Sequence, residues 1–299
     1  MTTLAQTTTA GAVASSNFGN WGTKGGTHLA LPEHIAALVL SFPGAGKSHL
    51  FWTHPGALVL NFDGSGTAPD IKCQIYGVRD LQNRLVDPNG QAFEWSWERI
   101  EEIKKRLIEA AKKNEPRPTT IVIDTITSLI RIVKKKFGDN WEAFGDIYDN
   151  IAELILELRD AGYGVYVLGH LIKSMVRKQG EAPDSTPFAE IAPAHPAKLH
   201  ARIFPHIEMV ATIVVTTTTE IVDVPISAEV NGVTKVVATK KVTRQVPSRI
   251  LLADPVEVPG VLKRRAKLPD QIPLPEVGTW DAFRKAYIDA NPSLSGAGR

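Results

Sequence analysis

The chain has 299 residues, 43% apolar and 22% charged, enough to bury one large α/β core with a smaller attached element. Its formal charge is only +2, so no global polycation demands a nucleic-acid partner and any such site must be local. A single cysteine, Cys73, excludes an internal disulfide framework and a multi-cysteine zinc site, and reads as a small core residue of a protein in a reducing compartment.

Residues 1–27 are rich in Thr, Ala, Gly and Ser and lack the basic start and apolar block of a secretion signal, so they are expected to form a flexible tail. No apolar stretch approaches the roughly 18 residues that a membrane span needs, which predicts a cytoplasmic protein without a membrane partner. Residues 28–215 read as the core. Short apolar runs without polar alternation predict buried parallel strands at Ala36 to Leu40, Ala57 to Phe62, Thr120 to Asp124, Gly164 to Gly169 and Glu208 to Val215. Between them, Trp95 to Lys113 and Trp141 to Ala161 repeat apolar residues at helical spacing. This alternation predicts a mainly parallel sheet flanked by helices on both faces.

After Val215 the texture changes to alternating Thr, Val and Lys. Residues 216–290 read as a β-hairpin and C-terminal extension, with Asn231-Gly232 as the two-residue turn and a short helix from Trp280 to Ala290. Residues 291–299 are expected to form a second flexible tail.

The segment Pro43-Gly44-Ala45-Gly46-Lys47-Ser48-His49 follows the first apolar strand directly and leads into a helix start. Its glycines let successive backbone N–H groups turn inward around phosphate oxygens. Lys47 can neutralise β and γ phosphates, and the Ser48 hydroxyl can ligate magnesium. The pattern is that of a P-loop NTPase and implies ATP with Mg2+, although Ser41 stands where the first glycine of the motif is usual. The strand ending in Asp124 places a carboxylate beside this loop for the magnesium shell. Thr125 follows it, not the Glu that activates water in many such ATPases, so the base must come from elsewhere or hydrolysis is slow. Asp63, closing the next strand, is the candidate; alternatively, Asp63-Gly64 is simply a turn. His170 ends a further apolar strand at the same edge, where it can contact the γ phosphate and sense nucleotide state; the plainer reading is an ordinary surface histidine.

Taken together, the phosphate loop, Asp63, the Asp124-Thr125 strand end and His170 resemble the RecA-like core. More narrowly, the chain resembles the short phage ATP-binding recombinases that promote single-strand annealing, from Leu31 to Val215 and more weakly to Leu268. An Asp at position 63 departs from the Glu usual in that family. The resemblance implies an ATPase acting on single-stranded DNA, assembled in a homo-oligomeric ring or filament with ATP between neighbours. It also implies a mobile DNA-contacting loop behind His170. Here that loop is expected between Leu171 and Arg202, with Lys173, Arg177 and Lys178 as leading phosphate contacts and Lys198, His200 and Arg202 behind them. Lys263, Arg264 and Arg265 are candidates for a finger reaching a neighbour's nucleotide. Two rival readings remain open at this point, an ATP-gated regulatory protein that touches no DNA and a small-molecule kinase. A zinc site at His195, His200 and His206 matches no common spacing.

Overall fold

The computed structural model describes residues 30–64, 70–138, 143–176, 188–193, 196–230, 233–252 and 268–294. Along the chain run β1 (Ala36–Ser41), α1 (Lys47–Trp52), β2 (Ala57–Asn61), β3 (Gln74–Tyr76), β4 (Val78–Arg79) and β5 (Leu85–Val86). Next come α2 (Trp97–Lys112), β6 (Thr120–Asp124), α3 (Ile126–Phe137), α4 (Ala143–Asp160), β7 (Gly164–Val176), β8 (Phe188–Pro193) and α5 (Ala197–Ile203). The last elements are β9 (Met209–Val230), β10 (Val233–Leu252), β11 (Gln271–Leu274) and α6 (Thr279–Ala290).

The main sheet has the order β11-β10-β9-β1-β7-β6-β2-β3, parallel from β9 to β3 and antiparallel at β10 and β11. Every residue of β1, β2 and β6 is buried, because helices cover both faces. Successive residues therefore feed two different cores. Ala36, Leu38 and Leu40 pack with α2, α3 and α4 residues such as Ile100, Leu129 and Leu154. Ala37 and Val39 face the opposite layer, where Leu50, Phe51 and Trp52 of α1 meet Trp280, Phe283 and Tyr287 of α6. The predicted α/β architecture is the observed one.

Local chemistry sets the element ends. Ser96 caps α2 by accepting from the Arg99 N–H at 3.2 Å. On α6, Trp280 donates its N–H to Thr53 Oγ1 at 2.9 Å and stacks on His54 with ring centres 4.0 Å apart. This joint fastens the C-terminal helix under the phosphate-loop helix. The burial that surrounds His54 pushes its pKa down to about 3, with the nearby Arg284 cation adding to the effect, so the stacked ring is neutral.

Several expectations change. The strand through His170 does not end there: β7 continues to Val176 and pairs antiparallel with β8, Leu171 opposite Pro193 and Val176 opposite Phe188. Where a loop was expected between Leu171 and Arg202, the described residues form this hairpin and α5, because antiparallel pairing satisfies the backbone of a strand that has left the sheet. The β9 strand runs unbroken across position 215, and with β10 forms a long ribbon paired from Thr212 opposite Leu252 to Val230 opposite Val233, with one register shift between Val236 and Ala238. Asn231-Gly232 lies outside the described residues, as do residues 1–27, Arg177, Lys178 and Lys263 to Arg265. From Asn291 the chain was expected to be loose, yet Asn291 is buried and Pro292–Leu294 form a 3-10 turn that sets Leu294 into the core. Among the described residues no helix is long and apolar enough to cross a membrane.

Candidate nucleotide site

The sheet register brings the sequence-predicted residues to one edge. Ser41 at the end of β1 lies opposite His170 on β7, and Asp124 at the end of β6 lies opposite Asn61 on β2. A backbone bond from the Phe62 N–H to the Asp124 carbonyl, 2.7 Å, fastens the ends of β2 and β6 together. The chain then turns through Gly64, whose N–H donates to Asn61 Oδ1 at 3.1 Å, and this turn presents Asp63.

The loop between β1 and α1 needs two left-handed residues, Gly44 at φ +82° and Gly46 at φ +85°. Ser41, where the motif usually starts with glycine, is fully buried and donates its hydroxyl to the Phe42 carbonyl at 3.0 Å. The substitution is thus absorbed inside the loop.

Behind the loop, Lys47 is buried and its Nζ lies 3.2 Å from His170 Nδ1. An ammonium can only donate, so Nδ1 accepts and the imidazole proton resides on Nε2. Burial, aided by the Lys47 cation, lowers the His170 pKa and keeps the ring neutral. Burial also lowers the Lys47 pKa, opposed by the carboxylates of Asp124 and Asp63.

Asp124 is buried, and burial pushes its pKa up to about 6 against the opposing pull of the Ser48 hydroxyl and Lys47. The Ser48 hydroxyl bonds to this carboxyl. A hydroxyl and a carboxyl held together in a buried site form, once the carboxyl is ionised, a hard oxygen donor pair that suits magnesium. Ser48 and Asp124 are therefore the residues that would hold it, and its charge would neutralise polyphosphate oxygens. Asp63 accepts a hydrogen bond from Ser128 Oγ in the first turns of α3.

Residues 33–250 match a family model described as AAA domain, more than half of the chain. The chain belongs to that family. No curated protein is similar enough to count as a match. The matched span of this AAA domain begins just before β1 and ends within β10, so it contains the whole loop, both carboxylates and His170. It is an AAA-type P-loop domain, the kind that binds ATP.

Within the AAA domain, Pro43 to His49, Asp63, Asp124 and His170 lie at one edge of the sheet. His49, predicted to touch nucleotide, turns its Nε2 to the Glu276 carbonyl at 2.5 Å. Of the cations assigned to DNA, Arg177 and Lys178 lie outside the described residues. Lys173 is on β7 opposite Ile191, and Arg202 pairs with Asp149 of α4, which ties α5 to α4. Lys134 lies 4.6 Å over the Phe144 ring and Lys136 pairs with Glu98, as ordinary surface cations do. No group of three potential ligands that could hold a metal occurs among the described residues.

Sequence reasoning missed two residues. Ser128, four positions after Asp124, has a recognisable signal: a hydroxyl on the first turns of a helix that starts at a nucleotide-site strand. Arg249 had none, since it reaches the loop from a strand two hundred positions away in sequence.

Proposed function

We propose that this AAA domain protein hydrolyses ATP and couples its nucleotide state to single-stranded DNA held by the β7–β8 hairpin, in recombination or annealing. The observation that carries the reading is the 3.2 Å contact between Lys47 Nζ and His170 Nδ1, made on a strand that continues directly into the hairpin. Lys47 neutralises the β and γ phosphates, and in turning to them it releases Nδ1 of His170. The ring's Nε2–H is then a donor for a γ-phosphate oxygen, and its reorientation shifts the backbone that leads to Lys173. Asp63, oriented by Ser128, is the base for the attacking water. Subunits of a homo-oligomer can supply Lys263, Arg264 or Arg265 to a neighbour's phosphates.

One observation favours the slow, regulatory alternative. Position 125 is a threonine, not a carboxylate that could activate water beside Asp124, and its buried Oγ1 has no hydrogen-bond partner among the described residues.

The test is a salt titration of fluorescent oligonucleotide binding in the presence of an ATP analogue, comparing wild type with Lys173→Ala, Arg177→Ala and Lys178→Ala combined. We expect weaker binding for all sequences and a log–log salt slope flattened by up to about 0.7 per lost contact. Equal affinity and slope in both proteins would clear this segment of any DNA role. A wild type that binds no DNA, with ATP binding intact, would leave the regulatory reading.

A further inference from the structure

The phosphate loop has a second cation beside it. At Gly46, a Cβ would lie 2.7 Å from Arg249 Nε, 2.9 Å from its Cδ and 3.3 Å from its Cζ. The guanidinium and its stem therefore rest on the loop backbone in the space that the absent side chain leaves. Gly44, the loop's other left-handed glycine, has nothing among the described residues within 4 Å of its Cβ position. One part of the loop is open, and the other is roofed by an arginine.

Arg249 is held there by the sheet. It pairs with Val215 of β9 and Leu274 of β11, and β9 in turn pairs with β1, the strand that feeds the loop. Just beyond β11, the Glu276 carbonyl takes the His49 imidazole, fixing the same wall to the start of α1. Sheet order puts Arg249 on one side of β1 and Asp124 and His170 on the other.

Charge gives this placement its meaning. A guanidinium is protonated at all working pH values and matches phosphate oxygens with a planar fork of donors. Among the described residues no carboxylate pairs with Arg249. It rests instead against Gly46, the residue before Lys47, in a loop whose nearest side-chain charge in sequence is also a cation. The counter-charge that such an arrangement takes is a polyphosphate.

We propose that Arg249 is a second cationic ligand for the nucleotide polyphosphate, supplied by the same chain and gripping phosphate oxygens from the side of the loop opposite Asp124. The inference rests on the reading of this loop as the ATP site and adds a specificity residue to it. Arg249 selects for phosphate, so its contribution is felt by ATP and by inorganic tripolyphosphate but not by adenosine.

The experiment displaces a fluorescent ATP analogue with ATP, tripolyphosphate or adenosine from wild type, Arg249→Ala, Arg249→Lys and Lys47→Ala, at low and high salt. For Arg249→Ala we expect ATP and tripolyphosphate to bind about tenfold to a hundredfold more weakly, with a flatter salt dependence. Adenosine affinity and the melting temperature of the nucleotide-free protein should not change, and Arg249→Lys should recover part of the loss. If Arg249→Ala binds ATP like wild type while Lys47→Ala does not bind, the inference fails and the site reading stands. Equal loss for adenosine and tripolyphosphate would make Arg249 a base-stacking or structural residue and overturn the phosphate role. Wild type that binds neither ATP nor tripolyphosphate would overturn the site reading and the inference together.

Discussion

The parallel half of the sheet and the β9–β10 ribbon answer opposite requirements. Strands β1, β2 and β6 are buried along their whole length between two helix layers; β6 ends in Asp124, and the chain leaving β1 and β2 carries Lys47 and Asp63. Among the described residues, the ribbon pairs with the rest of the sheet only at its root, through Ala37 to Ser41 on β1 and Gln271 to Leu274 on β11. Beyond that root, within the main sheet, its two strands pair with each other alone. Fixed charges such as Lys47 and Asp124 need rigid, dry surroundings, which only the covered half offers. A two-stranded ribbon in water is marginally stable by itself and gives reach instead.

If the chemistry belongs to the covered half, the largest loss should come from a nearly isosteric change there. Asp63→Asn should lower turnover by about 10²–10⁴ while ATP affinity stays near wild type, measured by single-turnover hydrolysis beside a binding titration. Unchanged turnover would pass the base's role to another group.

Stability should divide the two regions next. Leu38→Ala, in a site with no exposed surface, should cost about 2–5 kcal/mol in urea unfolding. Lys241→Ala, exposed on the ribbon opposite Asp223, should cost less than about 1 kcal/mol. Equal costs would erase the contrast.

The covered half should also show a pH response. The folded Asp124 carboxyl titrates at about 6, above its ordinary 3.8, because it is buried. The folded protein therefore holds a proton that the unfolded chain releases. Stability from this group is full below the ordinary value and is lost as pH rises through about 6. Urea midpoints of the nucleotide-free, metal-free protein should fall across that window, and Asp124→Asn should remove the fall. A wild-type profile that is flat or rising there would contradict the raised value.

The same contrast explains what the sequence disclosed. Thr120 to Asp124 was legible as a strand to the residue, since an unbroken β-branched run ending in a carboxylate has few other uses. Lys47, Ser48, Asp124 and His170 were legible because each follows an apolar run and so must arrive at one sheet edge. Short polar strands such as Val78–Arg79 gave no periodic signal, and the continuation of β7 was hidden because Gly169-His170 interrupts the apolar run and Lys173-Ser174 soon follow Leu171-Ile172. The ribbon's turn could be read from Asn231-Gly232, but not its length, because Thr216 to Thr219, Pro225 and Pro247 dilute the alternation. Arg249 was beyond any local reading, since only the assembled sheet carries it to Gly46.

The central claim, that the loop at Lys47 is an ATP site closed by Asp124 and Ser48, is tested most directly by calorimetric titration of ATP with magnesium into wild type and Lys47→Ala. The account predicts saturable binding by wild type, and none detectable in a Lys47→Ala protein that circular dichroism shows to be folded. A folded Lys47→Ala protein that binds ATP with wild-type affinity would contradict it.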